Sequence, residues 1–487
     1  MRLDRSWPII IIGYFAVQIL LRTLIGGALG LDEAQAILDS REYAWGYGPQ
    51  PPLFNWLQHT VFLVIGESVF SLSLLKNALL CLTYLSLYAL LRTTFDRTQA
   101  GLATISLMLL PQIAWESQRA LTHSVMATTS VMVTALIFWF LNERRSLLWY
   151  VLFGLAVGLG CLSKFNYAMI PVALLFAGLS LPEIRATVAN WRLAVSGLVA
   201  ALVLFKPATW MLANRDLALS STRKFELQQD HGVLSTALSG VSEYFLATAL
   251  FLVLALVILG LLRLRYGVRP EGDSAEPTLL LKLLVRTVII AAALTLALVL
   301  FSGVTNVKDR WLQPVLVLAA PALVLWTLPR LKAVGHIRLA QVVAVLALVV
   351  LAVLPVNMLY GTPRKPSYSA APIAALTERI AGEYPQARFV YSYNGWLAGN
   401  IAYAQPGWTV LTPGRVPRDF KLPDDFVLVW SPENSPFANA TARAFQEQFE
   451  EAYALGDKTS FAAAYRFRGD TRPFTAAFIP AELSKQQ

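Results

Sequence analysis

The residues of this chain best able to do chemistry lie just past its first apolar run. There Gly30-Leu31-Asp32-Glu33-Ala34-Gln35 is followed by Gly46-Tyr47-Gly48-Pro49-Gln50-Pro51-Pro52-Leu53-Phe54-Asn55-Trp56. Two adjacent carboxylates are costly at a bilayer boundary, and that cost marks a functional position. A carboxylate held there can act as general base on a hydroxyl or amine. A structural role is also open, because Asp32-x-x-Gln35 fits a capping box in which Asp32 caps a helix and Gln35 reaches back to it. Capping needs only one acidic residue, so the second still requires a reason. Ala34, Ile37, Leu38 and Trp45 fall near one face, which predicts a short amphipathic helix on the bilayer.

The elements that must position this pair are membrane spans. Of 487 residues 56% are hydrophobic and only 14% charged, a balance that excludes an ordinary soluble protein. The net charge of +10 does not imply nucleic acid, because the basic residues sit in short clusters between apolar runs. Apolar runs predict spans over 8–29, 71–91, 100–116, 123–141, 147–163, 165–180, 193–211, 244–262, 283–302, 312–328 and 339–359. The first is too long for a signal peptide and reads as an uncleaved helix. With the N-terminus inside, one set of loops gathers Arg92, Arg97, Arg144, Arg145, Arg185, Arg192, Arg263, Arg265, Arg330, Lys332 and Arg338. That bias puts Asp32 and Glu33 outside, with the tail after Tyr360. Cys81 and Cys161 each lie in an apolar run and imply neither a disulfide nor a metal site.

Cations on the outer side run against the positive-inside trend and so attract notice. Arg119 follows the third span, Lys164 lies in the turn of the 147–180 pair, and Lys308-Asp309-Arg310-Trp311 precedes the tenth span. Arg223-Lys224 lies in a second long outer loop, 212–243, and Lys76 stands near the outer end of its span. Each alone could snorkel or meet anionic lipid. Together with Asp32 they suit transfer of a sugar from a lipid phosphate: the carboxylate deprotonates the acceptor and the cations stabilise the departing phosphate. His59, His123, His231 and His336 have no two-ligand spacing. A carboxylate-bound divalent ion at Asp32 or Glu33 stays open, and no cofactor is required.

The pattern from Leu31-Asp32-Glu33-Ala34 through Trp45-Gly46-Tyr47-Gly48-Pro49-Gln50-Pro51-Pro52-Leu53 resembles the first outer loop of GT-C membrane glycosyltransferases of the aminoarabinose transferase and protein O-mannosyltransferase type. Gly158-Leu159-Gly160-Cys161-Leu162-Ser163-Lys164-Phe165, Lys206-Pro207-Ala208-Thr209-Trp210 and Arg310-Trp311-Leu312-Gln313-Pro314 follow in the expected order. The resemblance covers about residues 1–330 and is weaker over the tail. It implies a polyprenyl-phosphate-linked sugar as donor, transfer on the periplasmic face, inversion at the anomeric carbon and no nucleotide sugar. By position Asp32 is the catalytic or acceptor-orienting carboxylate and Glu33 supports it. Gln50 takes the place where some relatives put a phosphate-binding lysine. Many relatives have an acidic segment near the start of the fourth span, whereas this chain reads Leu121-Thr122-His123-Ser124-Val125, with Glu116 one loop earlier.

The expected fold is an α-helical polytopic membrane protein of GT-C type, with about eleven transmembrane helices and a small C-terminal α/β domain. Residues 1–360 form the catalytic domain, with outer loops 30–70 and 212–243, and 361–487 a periplasmic domain. In that tail Pro372–Glu383 and Pro436–Tyr453 read as helices. Arg388–Tyr393, Trp408–Leu411, Phe426–Trp430, Ala462–Phe467 and Thr475–Ile479 read as strands. Asp32 and Glu33 are the expected catalytic pair, and Arg119, Lys164, Lys308, Arg310 and Lys76 the donor-phosphate set. Tyr47, Gln50, Glu116, His123, Arg223 and Lys224 are expected on substrate, the Arg-Lys pair being available to a uronic acid carboxylate. The partners expected are membrane lipids, the polyprenyl donor, and an acceptor among lipid A, core oligosaccharide and protein hydroxyl. A transporter or lipid flippase is the rival, though it should show repeated halves and mid-membrane charges. A glycosidase needs carboxylates flanking a bond, which adjacent residues do not offer.

Overall fold

The computed structural model describes residues 6–220, 233–268, 276–413, 415, 423–435, 437–449, 453–467 and 473–483. The first elements are α1 Trp7–Ile25, α2 Leu31–Asp39, α3 Leu53–Ile65, α4 Val69–Arg92 and α5 Arg97–Ile105. Next come α6 Ser117–Arg119, α7 Thr122–Arg144, α8 Leu147–Cys161, α9 Met169–Ser180, α10 Pro182–Val188, α11 Leu193–Ala213 and α12 Arg215–Ala218. Then follow α13 Val233–Tyr266, α14 Leu279–Ser302, α15 Gln313–Leu316, α16 Ala319–Thr327 and α17 Ala333–Tyr360. The tail adds α18 Ile373–Glu383, β1 Phe389–Tyr391, α19 Gly395–Ala404, β2 Thr409–Leu411, β3 Asp425–Trp430, α20 Phe437–Gln448, β4 Tyr453–Leu455, β5 Thr459–Ala463 and β6 Phe474–Leu483.

Among the described residues eight helices are long and apolar enough to cross a membrane, and α3, α8 and the 165–180 segment are apolar but shorter. The expected span at 100–116 is broken. After α5 the chain makes a 3-10 turn at Ser106–Leu109 and a π-helical turn at Gln112–Glu116. The cause is Pro111, whose ring pushes Leu110 into extended backbone (φ −101°, ψ 108°). The expected run 312–328 is one of the eight, Gln313–Arg330, with a local irregularity between α15 and α16 where Pro321 has no N–H to give Val317.

Two compact units account for the fold. The first holds residues 1–18, 44–54 and 76–351. Within it α8 lies close against α11 through small residues: a methyl group on Gly154 would meet the Ser196 carbonyl at 2.5 Å, and one on Gly158 the Val203 side chain at 2.8 Å.

The second unit joins residues 19–43 and 55–75 with 352–487. Its sheet runs β2-β1-β3-β6-β4, with β5 also on β6. The β1 strand is parallel to β2 and β3, whereas β6 is antiparallel to its neighbours. Phe389, Tyr391, Phe426, Leu428, Phe445 and Phe449 form a core between the sheet and α20. The expected strand at 462–467 lies earlier, at β5. The segment expected as a single helix to Tyr453 ends at Gln448, before β4. Helix α19 has no counterpart in the sequence-based expectation. Its Gly395 and Gly399 lower helix propensity, and packing overrides it.

Candidate active site

In the second unit α2 begins at Leu31, after Gly30 in extended backbone. Glu33, at the third helical position, reaches back to the Gly30 N–H (2.8 Å). The capping expectation is thereby corrected: Glu33 closes the helix start, whereas Gln35 donates to Asp39 (3.1 Å). Glu33 is buried and receives a two-pronged bond from Arg22 of α1, at 2.9 Å from Nε and 2.6 Å from Nη2. Arg22 also donates to the Gly26 carbonyl (2.9 Å). Neither charge is left uncompensated, a condition that burial imposes. Asp32 shares the first turn and is half-buried.

The remainder of α2 is held by the tail. Ala34 packs so close to α19 that a methyl group on Gly399 would meet its carbonyl oxygen at 2.2 Å. Asn400 accepts from the Leu29 N–H (2.7 Å), and the Trp396 indole donates to the Leu29 carbonyl (2.7 Å). Arg415 grips the buried Asp39 at 2.6 and 2.9 Å. Burial nevertheless pushes the Asp39 carboxyl up to about 6, with Arg415 and the Gln35 hydrogen bond acting against it. Arg41 bridges Glu67 (2.9 and 3.0 Å) and the Ala402 carbonyl (2.9 Å).

In the first unit hydrogen bonds bring together segments far apart in sequence. Lys76 is buried on α4 and donates to the Gln118 carbonyl (2.6 Å). Lys164 donates to the Ser124 hydroxyl (2.7 Å). Gln112 bonds Asp309, and Asn166 bonds the Trp311 carbonyl. Gln313 is buried and donates to Ser117 (3.2 Å) and Thr128 (3.0 Å). Loop 49–53 joins the cluster where the Leu53 N–H meets the Leu162 carbonyl (3.0 Å), and Phe54 lies against His123 at 5.5 Å between ring centres. Trp210 fills the space beside Gly46, where a methyl group would meet its ring at 2.1 Å.

Two backbone irregularities lie in this cluster. The π-helical turn at Gln112–Glu116 is of a kind that favours functional sites. Leu121 adopts left-handed backbone (φ 68°) immediately before α7, a conformation costly for a branched side chain.

Of the sequence-derived set, Lys76, Glu116, Arg119, His123, Lys164, Lys308, Arg310, Tyr47 and Gln50 all fall in the first unit. Arg119 pairs with Glu116 (2.6 Å), and Tyr47 accepts from the Ala44 N–H (2.8 Å). Lys308 and Arg310 are exposed and make no ion pair among the described residues. Asp32 and Glu33 belong to the second unit. Arg223 and Lys224 lie outside the described residues. Among the described residues no group of three His, Cys, Asp or Glu side chains is arranged to hold a metal ion.

Residues 49–210 match the family model of dolichyl-phosphate-mannose-protein mannosyltransferases. Over 450 residues the chain is 32% identical to the lipopolysaccharide core galacturonosyltransferase RgtB of Rhizobium johnstonii, covering 88% of each protein. It belongs to the GT-C membrane glycosyltransferases. A second relative from the same organism, lipopolysaccharide core galacturonosyltransferase RgtA, is 29% identical over 99% of this chain and 98% of its own. The fold of this glycosyltransferase is that of ArnT from Cupriavidus metallidurans. The apo ArnT structure aligns with a TM-score of 0.56 at 14% identity, covering 97% of this chain and 98% of ArnT. The undecaprenyl phosphate-bound ArnT structure aligns at 0.54 and 14% identity, covering 98% of both. Membership in the family sets the transporter reading aside.

For a glycosyltransferase, sequence reasoning missed Arg22, Asp39, Arg415, Asn400 and Trp396 around α2, and Gln112, Asn166 and the buried role of Gln313 in the cation cluster. Arg22 interrupts an otherwise apolar span, a signal of the same kind as the Asp-Glu pair. Gly30-x-x-Glu33 carries the spacing of the cap that forms. Asn400 and Arg415 are separated from their partners by 371 and 376 residues, and no local pattern announces such contacts.

Proposed function

We propose that this enzyme transfers a uronic acid of the galacturonic type from a polyprenyl phosphate to a lipopolysaccharide core acceptor, on the periplasmic face of a bacterial inner membrane. The observation that carries the reading is the convergence of Lys76, Arg119, Lys164 and the 308–313 segment by hydrogen bonds, in a chain one-third identical to a core galacturonosyltransferase. The fold likeness to ArnT, seen with undecaprenyl phosphate, supports the donor class. The basic inner loops support the orientation.

In this reading the roles divide. Lys164, Lys76, Lys308, Arg310 and Arg119 hold the donor phosphate. As the bond from the anomeric carbon to the phosphate oxygen breaks, that oxygen keeps the electron pair and the phosphate gains charge, which the cations stabilise. The acceptor hydroxyl attacks the anomeric carbon from the opposite face, inverting it, and its proton passes to the Asp32 carboxylate. Glu33 orients α2 through Arg22 and does not touch substrate. The neutral donors and acceptors of Asn166 and Tyr47 suit sugar hydroxyls.

The test is transfer by purified protein in nanodiscs, supplied with radiolabelled galacturonic acid on polyprenyl phosphate and a truncated lipopolysaccharide core. Label should move to the core, with an acceptor mass gain of one uronic acid. Movement only from a hexose or aminopentose donor would overturn the sugar assignment, and movement only to lipid A or protein the acceptor assignment.

A further inference from the structure

The N-terminal half of α1, the end of α4, α5 and the start of α17 line an open apolar pocket of about 460 Å3. Trp7, Phe15, Tyr84, Met108 and Ala344 contribute to its lining, and none of the proposed donor-phosphate residues does. A methylene group occupies roughly the ~30 Å3 share of a liquid water, so the volume matches that of about fifteen of them, one lipid chain. The chain's basic loops place these helix ends at the cytoplasmic side.

Polar residues of the lining have basic neighbours. Arg338 donates to Gln341 (2.9 Å), which lines the cavity, as does His336. Thr98 also lines it, and its neighbour Arg97 is exposed. The nearby acid, Asp96, is engaged in capping α5, accepting from the Thr98 and Gln99 N–H groups at 2.8 and 2.9 Å. Trp7 is only 6% exposed, and its indole N–H has no acceptor among the described residues.

We infer that this cavity binds one acyl chain of an anionic glycerophospholipid from the cytoplasmic leaflet, its phosphate facing Arg338 and Arg97. Arginines beside an apolar slot select an anionic headgroup over a zwitterionic one. The far end of a polyprenyl donor offers no anion at this side, so the site is separate from donor binding.

The experiment places the full-length protein in nanodiscs with phosphatidylglycerol carrying a photoreactive diazirine in one acyl chain. Parallel samples receive the matching phosphatidylcholine and a diazirine-bearing polyprenyl phosphate, and adducts are mapped by peptide mass spectrometry. Phosphatidylglycerol should label residues 7–15 and 337–347 about fivefold more than phosphatidylcholine, the selectivity of one basic residue near an anionic headgroup. Labelling should fall in Ala344→Trp, which fills the slot. In Arg338→Gln, on an exposed position, the headgroup preference should weaken even if the first variant folds poorly. Equal labelling by both phospholipids in the wild type, unchanged by Arg338→Gln, would overturn the inference, as would labelling of these residues by the polyprenyl probe alone.

Discussion

The two charged regions of this molecule are built on different plans. Around α2 the ion pairs close on themselves: Arg22 with Glu33, Arg41 with Glu67, Arg415 with Asp39. In the cation cluster Lys308 and Arg310 stay exposed without an ion pair among the described residues. There Lys76 and Lys164 hydrogen-bond a carbonyl and a hydroxyl. Paired charges fix geometry, whereas exposed cations such as Lys308 and Arg310 keep their field for an incoming anion. The first plan suits a residue that must be aimed, such as Asp32, and the second suits a phosphate that must be captured and released.

The comparison breaks most severely at Arg22. Arg22→Met leaves Glu33 buried without its cation and should cost about 3–5 kcal/mol. Thermal unfolding in detergent should show it, and Arg22→Met combined with Glu33→Leu should recover a large part of the loss. A small effect of the single variant would mean that α2 is not organised by this pair.

Asp39 gives a pH signature to the same region. Its carboxyl sits at about 6, above the ordinary 3.8, so the folded state binds the proton more readily than the unfolded chain. Stability from this group is therefore greatest below pH 4 and declines as pH rises to 6, by on the order of 3 kcal/mol at most. Unfolding curves from pH 4 to 7 should flatten in Asp39→Asn relative to wild type.

On the cation side effects should appear in donor affinity and not in stability. Lys308→Gln and Arg310→Gln should each raise the donor KM roughly tenfold, the loss of a charge-assisted hydrogen bond of about 1.5 kcal/mol, with unfolding unchanged. Arg119→Gln should do least, within about 1 kcal/mol, because Arg119 is 46% exposed and already paired with Glu116. A larger effect for Arg119 than for Lys308 would reverse the order assigned within the phosphate set.

Much of this arrangement is legible in the sequence, and the reasons for the rest are physical. Asp32, Lys164 and the 308–311 run stand out because charge at a span end is expensive. The long apolar spans are legible for the same solvent reason. The break at 106–116 is written in Pro111, yet an apolar window averages over it. What holds α2 is not legible, since Asn400 and Trp396 look like ordinary helix residues until folding brings them to Leu29. Of the amphipathic face expected over 34–45, only the part before Asp39 is helical, and there Ala34 meets α19.

The central claim is a division of labour: Asp32 performs proton transfer, and the cation cluster binds donor. The most direct measurement takes Asp32→Asn and wild type, determining the Kd for polyprenyl phosphate and the single-turnover rate of transfer on the same preparations. Unchanged Kd with a rate lower by about 10²–10⁴ is the predicted result. A weakened Kd with an unchanged rate from saturated enzyme would contradict the account and move Asp32 into donor binding.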